Sequence, residues 1–432
     1  MTPDAVATAF AAALRVLLAD SHLMSPDELP DLATTAASEL GAAEVVLYLV
    51  DYEQRRLTPL PSNQTGPRTE LSVDGSLAGR AFWSLQAQES EAGDSRRLWL
   101  PMLVAIERVG VLEVVVPTEG EPLGVELRQA LVDLGHLITE LLIVNRTYTD
   151  VYEWARRRAP MTLAAEMQHA ALPSLTFGTH RVVVSGLLAP AYEVGGDVFD
   201  YALNGNIAHV AVFDAIGHGL HACLLANVAV SSYRHARRAG LDLAQMAVAV
   251  DAAIAELFGS ERFATGVIGQ LDVDTGVFRW INAGHPEPML LRDGHVVKEL
   301  LCEPSLPLGL NGMLGPPAPE QFVVSSESLQ PGDRLLVITD GVDEARTEDG
   351  EFFGRARVAE FAARQSASGL PTPEVMRRLH HAFLDHQIGH LQDDATTLFV
   401  EWLTGTVGAP GAAATPHAVT GEPWLGTRPP CP

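Results

Sequence analysis

Val194-Gly195-Gly196-Asp197 and Phe213-Asp214-Ala215-Ile216-Gly217-His218-Gly219 decide how this chain is read. Each sets an aspartate near glycine, which lets the backbone approach a ligand closely and lets a main-chain carbonyl join the carboxylates. Two more acidic stretches follow, Ile338-Thr339-Asp340-Gly341 and Gln392-Asp393-Asp394-Ala395-Thr396. All four lie where apolar, strand-like runs end or turn. Taken singly, an Asp-Gly is a turn residue or a helix cap. Four gathered carboxylates would repel one another unless a cation sat among them. All-oxygen ligands suit Mg²⁺ or Mn²⁺ rather than zinc. Two such ions about 3.5–4 Å apart bind a phosphate, lower the pKa of a bridging water and stabilise in-line attack at phosphorus. Separation in sequence does not by itself bring the four together.

Outward from these motifs the chain is rich in strands from 180 to 403. The periodicity predicts strands at 181–188, 208–213, 265–272, 277–282, 289–292, 322–325, 334–339 and 396–402. Helices are expected at about 219–238, 243–258, 355–364 and 373–386. Between the acidic motifs stand Phe263-Ala264-Thr265-Gly266, Asn282-Ala283-Gly284-His285-Pro286, Pro307-Leu308-Gly309 and Leu329-Gln330-Pro331-Gly332-Asp333. Asp340 itself opens Asp340-Gly341-Val342-Asp343-Glu344-Ala345-Arg346. In this order and over roughly 173–403, these motifs resemble the SpoIIE/RsbU branch of the PP2C (PPM) metal-dependent serine/threonine phosphatases.

The resemblance implies an α-β-β-α sandwich with the metals at one edge between its sheets. It implies two ions, Mn²⁺ or Mg²⁺, and hydrolysis of phosphoserine or phosphothreonine by a metal-activated water without a protein nucleophile. Asp197 is similar to the first metal carboxylate, and Asp214 to the one bridging both metals, with the Ala215 carbonyl as a further ligand. Asp340 and Asp393 match the two late carboxylates. Asp394 stands behind the ligands, where related enzymes carry Asn. His218 is the nearest candidate in sequence for a general acid, while His285, before Pro286, reads as a loop residue bonding its backbone. His386 and His390 stand four apart on a helix but lack a third ligand, so a solvated face is the simpler reading. The substrate implied is a phosphorylated anti-anti-sigma (STAS-domain) protein. The rival reading is a catalytically silent phosphoprotein-binding scaffold, against which the four intact aspartates count.

Upstream, residues 1–20 read as an alanine-rich helix within an N-terminal segment 1–24, and Ser25-Pro26-Asp27-Glu28 opens another helix ending near Gly41. Strand pairs are expected at 43–50 with 57–60, and at 98–106 with 110–116, turning at Glu107-Arg108-Val109. A loop from Asp74 leads into a short helix. This order over 25–147 resembles a GAF sensory domain of antiparallel sheet and helices. It lacks the Asn-Lys-Phe-Asp-Glu pattern of cyclic-nucleotide binders. An unknown ligand and a plain packing module both remain open. Leu127, Leu131, Leu134, Leu137, Ile138, Leu141, Leu142, Tyr148, Val151, Tyr152 and Ala155 fall on one face of a long helix ending at Arg156-Arg157-Arg158. That face is either a core stripe or a homodimer seam. A helix at 161–172 completes the linker, 148–172. Ligand or partner binding to 25–147 is expected to reorient the Leu127–Leu172 helices and so order the loops of Asp197 and Asp214.

The 432 residues suggest two or three domains in an α+β chain. A net charge of −25 disfavours nucleic acid and anionic membrane. Cys223, Cys302 and Cys431 form no metal or disulfide pattern, and no stretch reaches the ~20 apolar residues of a membrane span. A cytoplasmic protein of actinobacterial type is expected, with a disordered Gly/Ala/Pro tail at 404–432.

Overall fold

The computed structural model describes residues 1–118, 122–189, 192, 195–303, 305–315, 318–343, 354–386 and 394–403. The N-terminal unit starts with α1 (Pro3–Asp20), capped by Thr2, and α2 (Leu29–Ser38). Strands β1 (Glu44–Val50), β2 (Arg56–Pro59) and β3 (Leu71–Ser72) precede α3 (Leu77–Ser84), which Ser76 caps. Then come β4 (Gln88–Ala92), β5 (Ser95–Val104), β6 (Glu107–Pro117) and α4 (Val125–Asn145). The strands form one antiparallel sheet in the order β3-β2-β1-β6-β5-β4. Its Leu47, Leu100 and Leu112 face α1, α2 and α4 in one core, and Val46, Tyr48 and Trp99 cover α3 on the other side.

Two expectations are corrected here. The second hairpin turns at Ala105-Ile106 rather than at 107–109, because Ala105 takes the left-handed conformation (φ 53°). The long helix breaks. It gives way at Arg146–Tyr148 to a single tight turn and restarts as α5 (Val151–Arg156). Asn145 Nδ2 caps the Leu141 carbonyl, Thr149 is extended, and its hydroxyl accepts from Val151 N, so side chains compete with the helical ladder. Tyr148, placed on the stripe by spacing, is therefore exposed.

α6 (Leu163–Ala171), capped by Thr162, leads into the second unit. Its strands are β7 (Thr176–Gly178), β8 (Val182–Ala189), β9 (Asp197–Asn204), β10 (Ile207–Ala215), β11 (Ala264–Asp272), β12 (Val277–Ala283), β13 (Met289–Arg292), β14 (His295–Glu299), β15 (Ser325–Ser328), β16 (Arg334–Ile338) and β17 (Ala395–Trp402). Its helices are α7 (Gly219–Arg238), α8 (Leu243–Phe258), α9 (Asp340–Asp343), α10 (Gly354–Ala367) and α11 (Thr372–His386). One sheet runs β15-β12-β11-β10-β9 and the other β14-β13-β16-β17-β8-β7. Val184, Phe199, Val212, Phe278, Val337 and Leu398 fill the space between them. α7 and α8 cover the outer face of the first sheet, and α10 and α11 that of the second. The result is the four-layer α-β-β-α sandwich.

Four strands depart from expectation, two of them, β7 and β14, being short strands at the opposite edges of one sheet. The edge strand lies at 325–328 rather than 322–325, with Phe322 packed beneath α8 instead. β9 is a strand that hydrophobic periodicity does not reveal. It begins on an acid and carries buried Asp200, whose charge Arg234 and Arg237 of α7 neutralise at 2.7 Å.

The two units meet through buried charges on α11. Arg108 Nη1 donates to Glu374 at 3.0 Å, and Arg377 bonds both Glu374 and Asp74 at 2.8 Å. His381 Nε2 donates to the Glu53 carbonyl at 2.6 Å. Near α6, Thr176 N donates to Glu107, and Arg158 reaches Asp51.

Candidate active site

The antiparallel register builds the site. β10 ends beside the start of β9, so Asp214 lies directly across from Asp197. β16 ends beside the start of β17, with Thr339 N bonded to the Thr396 carbonyl at 3.0 Å. These two strand-pair ends touch one another at the same edge of the sandwich. The Thr339 hydroxyl donates to Asp197 Oδ2 at 2.7 Å and accepts from Thr396 N at 2.8 Å. Asp394 Oδ2 accepts from Gly195 N and Gly196 N at 2.6 Å each. One carboxylate thus braces the glycine loop that delivers Asp197.

Close approach demands glycine at two positions. A Cβ on Gly196 would lie 2.4 Å from the Ala215 carbonyl oxygen, which sits against the loop. A Cβ on Gly341 would lie 1.8 Å from the Asp394 carbonyl oxygen. That clash is with backbone and cannot be relieved by a side-chain rotation. Gly341→Ala should therefore displace Asp394 and the loop it holds. Since misplacement by about 1 Å can cost about 100-fold in rate, the phosphate release that the motif resemblance implies should fall by roughly that factor. A variant with wild-type release would mean that Gly341 and Asp394 do not position the site.

Asp197 is 2% exposed, and burial pushes its carboxyl well above the usual range, helped by the charges of Asp214 and then Asp394. Such strain is what a cation would relieve. Oxygen donors alone converge here: the Asp197 and Asp214 carboxylates and the Ala215 carbonyl. This set fits Mg²⁺ or Mn²⁺ better than zinc. Asp340 is exposed at the start of α9, next to Thr339. Asp393 and Glu193 lie outside the described residues, as does His390. Among the described residues, no three His, Cys, Asp or Glu side chains make a metal-sized group by themselves.

His218 is exposed at the head of α7, and its Cα lies 3.2 Å from where a Gly195 Cβ would be. His285 is buried among loop contacts: its N donates to Asn282 Oδ1 at 2.8 Å, and Nδ1 meets Thr265 Oγ1 at 2.9 Å. Burial pushes its pKa down to about 3. Two residues at the site were not foreseen from sequence. Thr339 stood inside a quoted motif but had no role assigned. Gln168, buried in α6, donates its side-chain amide to the Asp197 carbonyl, and only its being a polar residue in an alanine-rich helix could have flagged it.

Residues 204–403 match the family model described as stage II sporulation protein E. Asp214, Asp340, Asp393 and Asp394 fall inside this match, and Asp197 just before it. Protein IcfG of a Synechocystis species is 31% identical over 136 residues, 32% of this chain but only 20% of that protein. Phosphoserine phosphatase RsbU of Bacillus subtilis is 20% identical over 56% of this chain and 69% of its own length. Among solved structures, the RsbU and RsbW domains of a Mycobacterium tuberculosis protein are 27% identical, covering 52% of this chain and 62% of that one, with a TM-score of 0.44.

Proposed function

We propose that this chain, whose residues 204–403 match the family model described as stage II sporulation protein E, is a metal-dependent protein phosphatase of the PP2C serine/threonine type. The observation that carries the reading is the pairing of Asp197 with Asp214 across two strands, beside the Ala215 carbonyl. Asp197, Asp214, the Ala215 carbonyl, Asp340 and Asp393 would hold two Mn²⁺ or Mg²⁺ ions. When bound, such ions activate water and neutralise charge on a phosphoryl group. Asp394 keeps the glycine loop in place, and Thr339 fixes the orientation of the Asp197 carboxylate. We assign His218, exposed at the rim, to proton donation toward the leaving serine or threonine oxygen. The substrate is a phosphorylated STAS-domain anti-anti-sigma protein, and the setting is the cytoplasm. No described helix is long and apolar enough to cross a membrane. The test is phosphate release from such a phosphoserine protein, with Mn²⁺ and with chelator. Binding without release would favour a scaffold.

Control by residues 25–147, read as a GAF-like sensor of unknown ligand, runs through the linker helices, which also offer a homodimer contact. Supporting this route, α6 reaches the site through Gln168, which holds the Asp197 carbonyl, and is tied to α7 by Cys223 Sγ, which bonds the Ala164 carbonyl at 3.3 Å. Gln168→Ala should weaken Mn²⁺ binding several-fold and lower stability by about 1–3 kcal/mol, the cost of stranding a buried polar group. Calorimetric Mn²⁺ titration checks it. Wild-type affinity together with wild-type rate would exclude this path.

A further inference from the structure

We infer that Arg262 binds the phosphoryl group of the substrate, an assignment that rests on the phosphatase reading. The β10–β11 ladder pairs Asp214 with Thr265 and Ala215 with Ala264. It continues one step further, with Ile216 N donating to the Phe263 carbonyl at 3.1 Å. The next pair outward is Gly217 and Arg262, three residues beyond Asp214. The guanidinium Nη1 indeed lies 3.4 Å from where a Gly217 Cβ would stand, with Gly217 in the left-handed region at φ 94°.

The base of Arg262 is fixed while its tip is free. Ala264 is locked to Leu308 by paired hydrogen bonds of 3.0 and 2.8 Å, and a Gly309 Cβ would meet the Arg262 carbonyl at 3.0 Å. The side chain is exposed, and among the described residues its guanidinium makes no hydrogen bond or ion pair. Elsewhere in this acidic chain arginines are engaged by carboxylates, as Arg234 and Arg237 are by Asp200 and Arg292 is by Asp333. The aspartates of the site attract cations but repel a phosphate dianion. A planar guanidinium at their rim supplies the opposite charge and a fork of donors matched to two phosphate oxygens.

The test is calorimetric titration of inorganic phosphate into the full chain in Mn²⁺, comparing wild type, Arg262→Ala and Arg262→Lys. Arg262→Ala should bind phosphate at least about tenfold more weakly, and Arg262→Lys should fall between, keeping charge but losing the fork. Mn²⁺ affinity should not change. With a phosphoserine substrate, KM should rise more than kcat falls. Equal phosphate affinity in wild type and Arg262→Ala, or a wild type that binds none, would overturn the assignment. Phosphate binding that needs Arg262 without any turnover would keep it and sink the phosphatase reading instead.

Discussion

Asp214→Ala should abolish the proposed metal-dependent phosphate release, by about a thousandfold or more, and should do so in a folded protein. Asp214 sits near the end of β10, half-buried, directly across from Asp197. It is the residue proposed to touch both ions. Charge stabilisation by metal is worth several kcal/mol, and each 1.36 kcal/mol is tenfold in rate. Folding should survive, because the substitution removes a like charge facing buried Asp197, whose carboxyl is held high by burial and then by Asp214 itself. The metal-free variant should thus melt no lower than wild type. Calorimetry on the same sample should record the loss of Mn²⁺ binding. Retained Mn²⁺ binding with retained turnover would remove Asp214 from the mechanism.

Glu374→Ala should loosen the junction between the two units by about 3–5 kcal/mol, the cost of leaving buried charge without its partner. Glu374 is fully buried and engages Arg108, Arg377 and Arg378. Burial pushes its carboxyl up, but the hydrogen bond from Arg377 and the charges of Arg108 and Arg377 outweigh it and hold the pKa below 4.5. Because the folded value is depressed, the stabilisation is present above about 4.5 and fades as pH falls through the lower folded value. The difference between wild type and variant in denaturant midpoint should therefore be large at neutral pH and shrink in acid. Equal midpoints at pH 7 would mean that the network does not hold the units together. The same network makes deletion of 1–150 a poor probe of regulation, since it would strip Arg377 of Asp74 and Glu374 of Arg108.

Most strands of the sandwich were legible as apolar runs cut by Gly and Pro, whereas their four-layer arrangement came from the resemblance that the ordered motifs carry. Where sequence reading failed, a distant partner or a local side chain had overridden the pattern. β9 was missed since Asp200 spoils its periodicity, and only Arg234 and Arg237, a helix away, make that acid tolerable inside. The long helix was over-extended because the spacing of Tyr148 and Val151 says nothing of Asn145 and Thr149 bonding their own backbone. At the site, Asp197, Asp214 and Asp340 stood out by nearby glycines, whereas Asp393 and Asp394 stood out by the motif resemblance. The bracing of Gly195 and Gly196 by Asp394, and the reach of Gln168 to Asp197, depend on contacts between segments far apart in the chain, which no local pattern encodes.

The most direct test of the central claim is phosphate release from a phosphoserine STAS-domain protein by the full chain, measured with Mn²⁺ and again with chelator. Release with Mn²⁺, and none once the metal is removed, is the expected result. Release undiminished by chelator, or no release from a chain that calorimetry shows to be loaded with Mn²⁺ and bound to that protein, would contradict it.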